Sequence, residues 1–425
     1  MNCFSGSTLL ICLTFLTACH APASESPSAS DDQSYSVHYR IKPVPSEGRV
    51  DVEMSVSQTR GKLRELNFSI AGTAFSDLSA DGELTITAGN VRWLPERDGG
   101  VLRWSTRVSH RRNSGAYDAW LDGSWGIFRA EDIIPRARTR TLVGADSMTS
   151  MSFVLPPNWS AVSEYSSLAS RIDVINPARR FDQPSGWIAM GHLGIRRETI
   201  AGTRIAVVAP EGQRVRRMDM LALLNWTLPE LNTVLPDRIP RLTIVSAGDP
   251  MWRGGLSAPS SIYIHADRPL ISENATSTLV HELMHVALRI KADDGFDWII
   301  EGLAEYYSLE LLLRGGAITA RRYSRALETQ ADWASRSTQL CAMQSTGATT
   351  ALAVGIFRDL DETLRQRSAG ELGLDDLVAE LVELTEPVSV QTLNSIVTQL
   401  LQEDVVALSI DDLAGCQSYS PTPEA

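Results

Sequence analysis

The stretch HELMHVALRIKADDGFDWIIEGLAEYY, residues 281–307, places two histidines four residues apart and follows them with a run of carboxylates. Only seven histidines occur in the 425 residues, so two of them inside one apolar segment is a spacing with chemical content. On a helix, residues four apart share a face and lie about 6 Å apart along the axis. Imidazoles at that separation can converge on one cation, about 2.0–2.1 Å from each nitrogen. His281-Glu282-x-x-His285 is the zinc-hydrolase spacing, in which both histidines ligate and Glu282 stands beside the metal as general base. Zn2+ is therefore the expected cofactor.

A catalytic zinc takes three protein ligands and leaves one position to solvent. Residues 292–295, ADDG, predict a turn, after which 296–314 return as a second helix closed by Gly315-Gly316. Glu301 is the expected third ligand, because Trp298, Ile299, Leu303, Tyr306 and Tyr307 pack its helix against the first. Glu305, one turn on, can accept a hydrogen bond from the far nitrogen of a zinc histidine and fix its tautomer. The rival acids Asp293, Asp294 and Asp297 lie in or beside the turn, where capping or solvent suits them. Two merely structural histidines would leave their shared turn in an apolar segment unexplained, together with the carboxylate on the next helix.

The elements that position these groups are legible in the hydrophobic pattern. Leu279, Val280, Leu283, Met284, Val286 and Leu288 describe a mostly buried helix around the histidines. Far upstream the period is two: Tyr35, Val37, Tyr39 and Ile41 alternate with polar residues, as do Val50, Val52, Met54 and Val56. ELTIT, VLRWSTRV and MSFVL continue the strand pattern, and no long helical stripe precedes residue 210. Residues 35–200 thus read as an all-β sandwich. Between 201 and 320, RIAVVAPEG, RLTIVSAG and SSIYIHA are strand-like, whereas RRMDMLALLNWTLPELNTVL has helical spacing, which marks an α+β domain. Residues 321–425 are helical in period, including TALAVGIFRDLDETLRQR and LDDLVAELVEL, the latter with an acidic first turn. The expected class is a multidomain α+β protein. Its 43% apolar content supports a real core, and its net charge of −12 without a basic stripe argues against a nucleic-acid partner.

The first 19 residues carry no charge, and the apolar run from Leu9 to Ala18 is about half of a bilayer span. Leu16-Thr17-Ala18-Cys19 resembles the lipobox of bacterial lipoproteins, although Lys and Arg are missing ahead of it. The resemblance implies a signal peptide over 1–19, lipidation of Cys19 and a flexible tether over 20–34. With Cys3 and Cys12 removed and Cys19 lipidated, Cys341 and Cys416 remain, and in an exported protein they are the expected disulfide.

HELMH, followed after fifteen residues by EGLAEYY, resembles the gluzincin metallopeptidases. The order of a β-rich first part, the zinc segment and a helical end is similar to their glycyl-aminopeptidase-like branch. That resemblance implies a thermolysin-like catalytic domain over 201–320. Aminopeptidase-N-type relatives have a longer connection before the glutamate, and their amine-anchoring glutamate has no counterpart in RGGLSAPSSIYIHAD, residues 253–267. Gly254, Gly255 and the strand through Ile262 and Ile264 are still expected to offer backbone to an extended peptide by β-augmentation. The resemblance also implies a tyrosine or histidine that stabilises the oxyanion, for which Tyr323, Tyr307 and His265 are the candidates.

These readings converge on a zinc metallopeptidase acting on peptide or protein substrates in a bacterial envelope. It would be held to the membrane through lipid alone, and His20 after Cys19 favours the outer membrane. Whether it acts as an aminopeptidase or an endopeptidase is open, as are its residue preference and oligomeric state. The competing readings are a metal-binding, catalytically weak lipoprotein that holds peptide or cell-wall partners, and a zinc hydrolase of non-peptide substrates.

Overall fold

The computed structural model describes residues 33–70, 75–165, 171–176, 181–403 and 405–417. The expected signal peptide, Cys19 and nearly all of the tether lie outside the described residues. Within them the protein is mixed α/β, with four sheets and eight α-helices.

The period-two segments form strands for the expected reason. Ser34–Val44 pairs antiparallel with Arg49–Ser57 in a register that sets Val37 opposite Val56, Tyr39 opposite Met54 and Ile41 opposite Val52. Each apolar residue therefore meets another on one face, while the polar alternates face out. Six strands form this first sheet, in the order Ile172–Val174, Asp146–Phe153, Ser34–Val44, Arg49–Ser57, Gly99–Arg107 and Phe75–Ala80. A second, four-stranded sheet runs Ala137–Thr141, Leu63–Ser69, Asn90–Leu94 and Glu83–Thr87. Tyr39, Met54, Leu102 and Trp104 of the first sheet share one core with Leu66, Phe68 and Trp93 of the second. The short helix α1 (Ala130–Ile133) is the one α-helical turn described in this half, beside a 3-10 turn at Pro45–Glu47, and the Ile133 carbonyl accepts the Trp104 indole N–H at 2.8 Å.

The sheet beneath the histidine helix has five strands, in the order Leu193–Ile200, Thr203–Pro210, Arg241–Ala247, Ser261–His265 and Gly255–Ala258. Its faces separate by strand alternation. Val207, Ile244, Ile262 and Ile264 join the core of the helices α2 (Arg217–Val234), α3 (Thr278–Leu288) and α4 (Asp297–Arg314). Val208, Val245 and Tyr263 face the other way, against Trp125, Ile127 and Trp187 of a third sheet that also contains Tyr117–Leu121. The division expected at residue 200 falls inside a hairpin. Leu193–Ile200 pairs with Thr203–Pro210 across a tight turn whose Ala201 and Gly202 both have positive φ, so this strand belongs to the α/β sheet.

Four more helices follow: α5 (Ala320–Ala334), α6 (Ala348–Arg367), α7 (Leu374–Leu381) and α8 (Val390–Leu401). Leu360, Leu364, Leu377 and Leu393 lie in the same core as Trp298 and Leu303, so these helices share one interior with α3 and α4. Gly302 makes the contact between α4 and α6 close, because a Cβ there would stand 2.5 Å from Ala353 Cβ. Cys341 and Cys416 form the expected disulfide across 75 residues. The Ala342 N–H donates to the Gly295 carbonyl at 3.1 Å, so the clipped segment lies against the turn that opens α4. No helix among the described residues is long and apolar enough to cross a membrane.

Candidate metal centre

Helix α3 starts at Ser277, whose hydroxyl accepts the Val280 N–H, and ends at Arg289 in the left-handed region at φ 52°. Gly295, at φ 87°, completes the reversal that the ADDG turn requires, and α4 comes back along α3. The two helices bring three ligand types to a point. His281 Nε2 and His285 Nε2 stand 3.1 Å apart, and Glu301 reaches each of them at 3.4 Å.

A tetrahedral cation with bonds of about 2.0–2.1 Å has ligand atoms about 3.3 Å apart along each edge. The three observed separations match that edge, so the donor set fits Zn2+ in chemistry and in spacing. The outer side of the cluster fits as well. His281 Nδ1 lies 3.0 Å from Glu305, and a carboxylate only accepts, so Nδ1 carries a proton and Nε2 is the nitrogen that would offer its lone pair to a cation displacing its own proton. The Gln330 amide of α5 donates to the other Glu305 oxygen at 3.0 Å. Among the described residues, His281, His285 and Glu301 are the one group able to hold a metal in this way.

The electrostatics have identifiable causes. Burial opposes charge on His281, but hydrogen bonds to Glu301 and Glu305 outweigh it and lift its pKa to about 10. Burial and the neighbouring His281 push His285 down to about 4. Burial would raise Glu301, yet its bond to His281 and the charge near His285 hold it below the ordinary carboxylate range. A cation and the His281 proton therefore compete for the same nitrogens. Glu282 is buried, which raises its pKa against the opposing pull of His281, and it accepts hydrogen bonds from Ser257. Its closeness to the sheet depends on Gly255, where a Cβ would lie 2.9 Å from Glu282 Cγ and 2.5 Å from Thr278 Cγ2.

Several expected site residues go elsewhere. Ile262 and Ile264 lie in an inner strand, bonded on one side to Arg241–Ala247 and on the other to Gly255–Ala258. Their backbone has no free edge, so the strand able to add a peptide is Gly255–Ala258, which begins at Gly255. Gly254, just ahead of it, is covered by the Trp252 ring, which a Cβ would meet at 2.2 Å. Tyr307 is fully buried and donates to Asp375 at 2.8 Å, beside Arg314. Tyr323 donates to Glu310. Glu310 is nine residues beyond Glu301, about half a turn round α4, which takes Tyr323 away from the cluster. Ile264 and Gly255 face α3, so by strand alternation the next residue, His265, points to the opposite face. There its Nε2 lies 3.7 Å from Asp249 and its Nδ1 accepts the Asp267 N–H at 3.2 Å. None of the three expected oxyanion donors faces the cluster. Asp293 and Asp294 are exposed, and Asp297 accepts the Ser345 N–H at 2.6 Å.

Sequence reasoning missed Gln330 and Ser257. Gln330 had one signal: with Ala326 it is the buried pair on the otherwise polar helix α5, one turn apart. Ser257 had none, because its role depends on which strand borders α3.

No protein-family profile and no curated protein matches the sequence. Among solved structures, the chain is similar in fold to an aminopeptidase N family protein from Idiomarina loihiensis. The TM-score is 0.63 at 16% identity, over 82% of this chain and 70% of the other. At that identity the likeness is one of fold.

Proposed function

We propose that the protein is a zinc-dependent metallopeptidase of the gluzincin type that hydrolyses peptide bonds in a bacterial envelope. The observation that carries this reading is the His281–His285–Glu301 cluster at tetrahedral-edge spacing, with the buried carboxylate of Glu282 on the same helix. The fold of the aminopeptidase N family protein supports it. In this reading residues 35–200 are largely a β-sandwich, the sheet with α2 to α4 is a thermolysin-like catalytic part, and α5 to α8 are its helical end.

Zinc bound by His281, His285 and Glu301 would supply Lewis acidity to a water and to the scissile carbonyl. Glu282 takes the proton of the attacking water and returns it to the departing amine. Glu305 orients the His281 ring, and Gln330 holds Glu305 in place. The strand Gly255–Ala258, paired on one side only among the described residues, offers its backbone to an extended substrate. The lipobox-like Leu16-Thr17-Ala18-Cys19 supports a lipid anchor, His20 after it favours the outer membrane, and the Cys341–Cys416 disulfide suits an oxidising compartment.

One observation favours a second reading. None of Tyr307, Tyr323 and His265, the three expected donors, faces the cluster, which suits a metal-binding lipoprotein with little turnover. Incubating the zinc-loaded protein with a mixed peptide library separates the two. The peptidase reading expects cleavage that falls about 100- to 10,000-fold in Glu282→Gln while bound zinc is unchanged. Full zinc occupancy with no cleavage by the wild type contradicts it.

A further inference from the structure

We infer that the cavity where the α/β sheet meets the third sheet binds a phosphorylated ligand through Arg197, Arg204 and Arg241. The cavity measures about 580 Å³, within the range of small-molecule sites. Its floor is the end of the α/β sheet. Its wall is Ser163, Glu164 and Tyr165, which follow the strand Ser160–Val162 of the third sheet. The Thr243 hydroxyl of the floor donates to the Ser163 carbonyl at 3.4 Å, so the two surfaces are tied together.

Strand alternation gathers the three arginines on one face. Ile205, Val207, Leu242 and Ile244 point into the helical core, so Arg204 and Arg241 point the other way, away from α3 and the metal centre. These two are direct partners in the parallel register of their strands. Across the hairpin, Thr199 lies opposite Arg204 and Arg197 opposite Ala206, which sets Arg197 on the same face. Three neighbouring strands thus each bring one guanidinium to one cavity. Like charges on adjacent strands repel, and an anion between them removes that cost.

Counter-charge is scarce. Glu198 borders the cavity but pairs with Ile205, on the helical side of the sheet. Glu164, the other acid of the lining, is buried, accepts the Ser185 hydroxyl at 2.9 Å and lies 3.7 Å from Arg241. Burial raises its pKa, so it offsets the arginines only in part. Arg197 and Arg204 have no acidic partner among the described residues. Arg241 lies over the Tyr165 ring, 5.0 Å from its centroid, and its buried Nε has no hydrogen-bond partner among the described residues. On a chain of net charge −12 this is a local reversal of sign in a concave site, which concentrates anions. A phosphoryl group is tetrahedral and offers three acceptor oxygens, one for each guanidinium. A planar carboxylate offers two, which a single fork can satisfy.

Calorimetric titration of the purified full chain with glycerol 3-phosphate tests the assignment, with glycerate, a carboxylate of similar size, as the control at equal ionic strength. The expected result is saturable binding of the phosphate ester at one site, about tenfold tighter than glycerate. Arg197→Gln with Arg204→Gln is expected to weaken it about tenfold or more. Both side chains are exposed, and an unchanged melting temperature of the double variant shows that its fold is intact. Dihexanoyl phosphatidic acid identifies the source: affinity equal to that of glycerol 3-phosphate supports a soluble ester, and tighter binding supports a lipid headgroup. Equal binding of phosphate ester and glycerate overturns the inference, as does the absence of binding at millimolar concentration. Binding that survives the double substitution also overturns it, because the ester then sits elsewhere, the metal centre included. Zinc content and peptide cleavage are read separately, so failure of the peptidase reading leaves this test intact.

Discussion

His38 and His281 show how differently two regions of this molecule use one residue type. His38 lies on the first sheet, with Nδ1 at 2.9 Å from the Ser150 hydroxyl and Nε2 at 2.8 Å from the Ser152 hydroxyl. Both nitrogens are satisfied by neutral groups of one neighbouring strand, and the ring has nothing further to offer. His281 spends one nitrogen on the Glu305 carboxylate and turns the other toward His285 and Glu301. The surrounding charges follow the same contrast. On the β side they pair locally with ladder neighbours, as Arg92 and Arg140 do with Glu65 and Arg103 does with Glu53. Between α3 and α4, two histidines and two carboxylates from separate helices converge on a single small volume. A strand distributes polar side chains along a solvated face, whereas two packed helices focus them at a point.

That contrast can be broken by removing groups from each region in turn. Glu305→Ala is expected to weaken zinc binding about 10- to 100-fold, because the His281 ring loses the partner that sets its tautomer and orientation. Chelator competition measures this, and an unchanged affinity would make Glu305 an ordinary helix-face acid. His38→Ala is expected to cost about 1–2 kcal/mol of stability through two lost hydrogen bonds, with zinc content untouched. A lowered melting temperature at full zinc occupancy is the expected pattern. Loss of zinc in that variant would show that the two regions are coupled rather than separate.

The parts of the site governed by local geometry were legible in the sequence. A four-residue spacing sets the relation of His281 to His285, and of Glu301 to Glu305, whatever the rest of the chain does. The same arithmetic carried an unused warning: Tyr307 lies about 120° round α4 from Glu301, off the ligand face. What was not legible is long-range. Ile262 and Ile264 look like any exposed-edge strand in sequence, but the later strand Ser261–His265 inserts inside Gly255–Ala258, and sheet order is set by contacts far apart in the chain. Leu193–Ile200 carries the period of the β half yet pairs forward through a two-residue turn. Gln330 reaches Glu305 from a third helix across 25 residues, a meeting that no single periodicity encodes.

Zinc content of the purified wild type, measured by mass spectrometry beside His285→Ala and Glu301→Ala with His38→Ala as the control, tests the centre most directly. The account predicts one zinc per chain in the wild type and the control, and sharply reduced zinc in the other two. Equal zinc in all four proteins would contradict it.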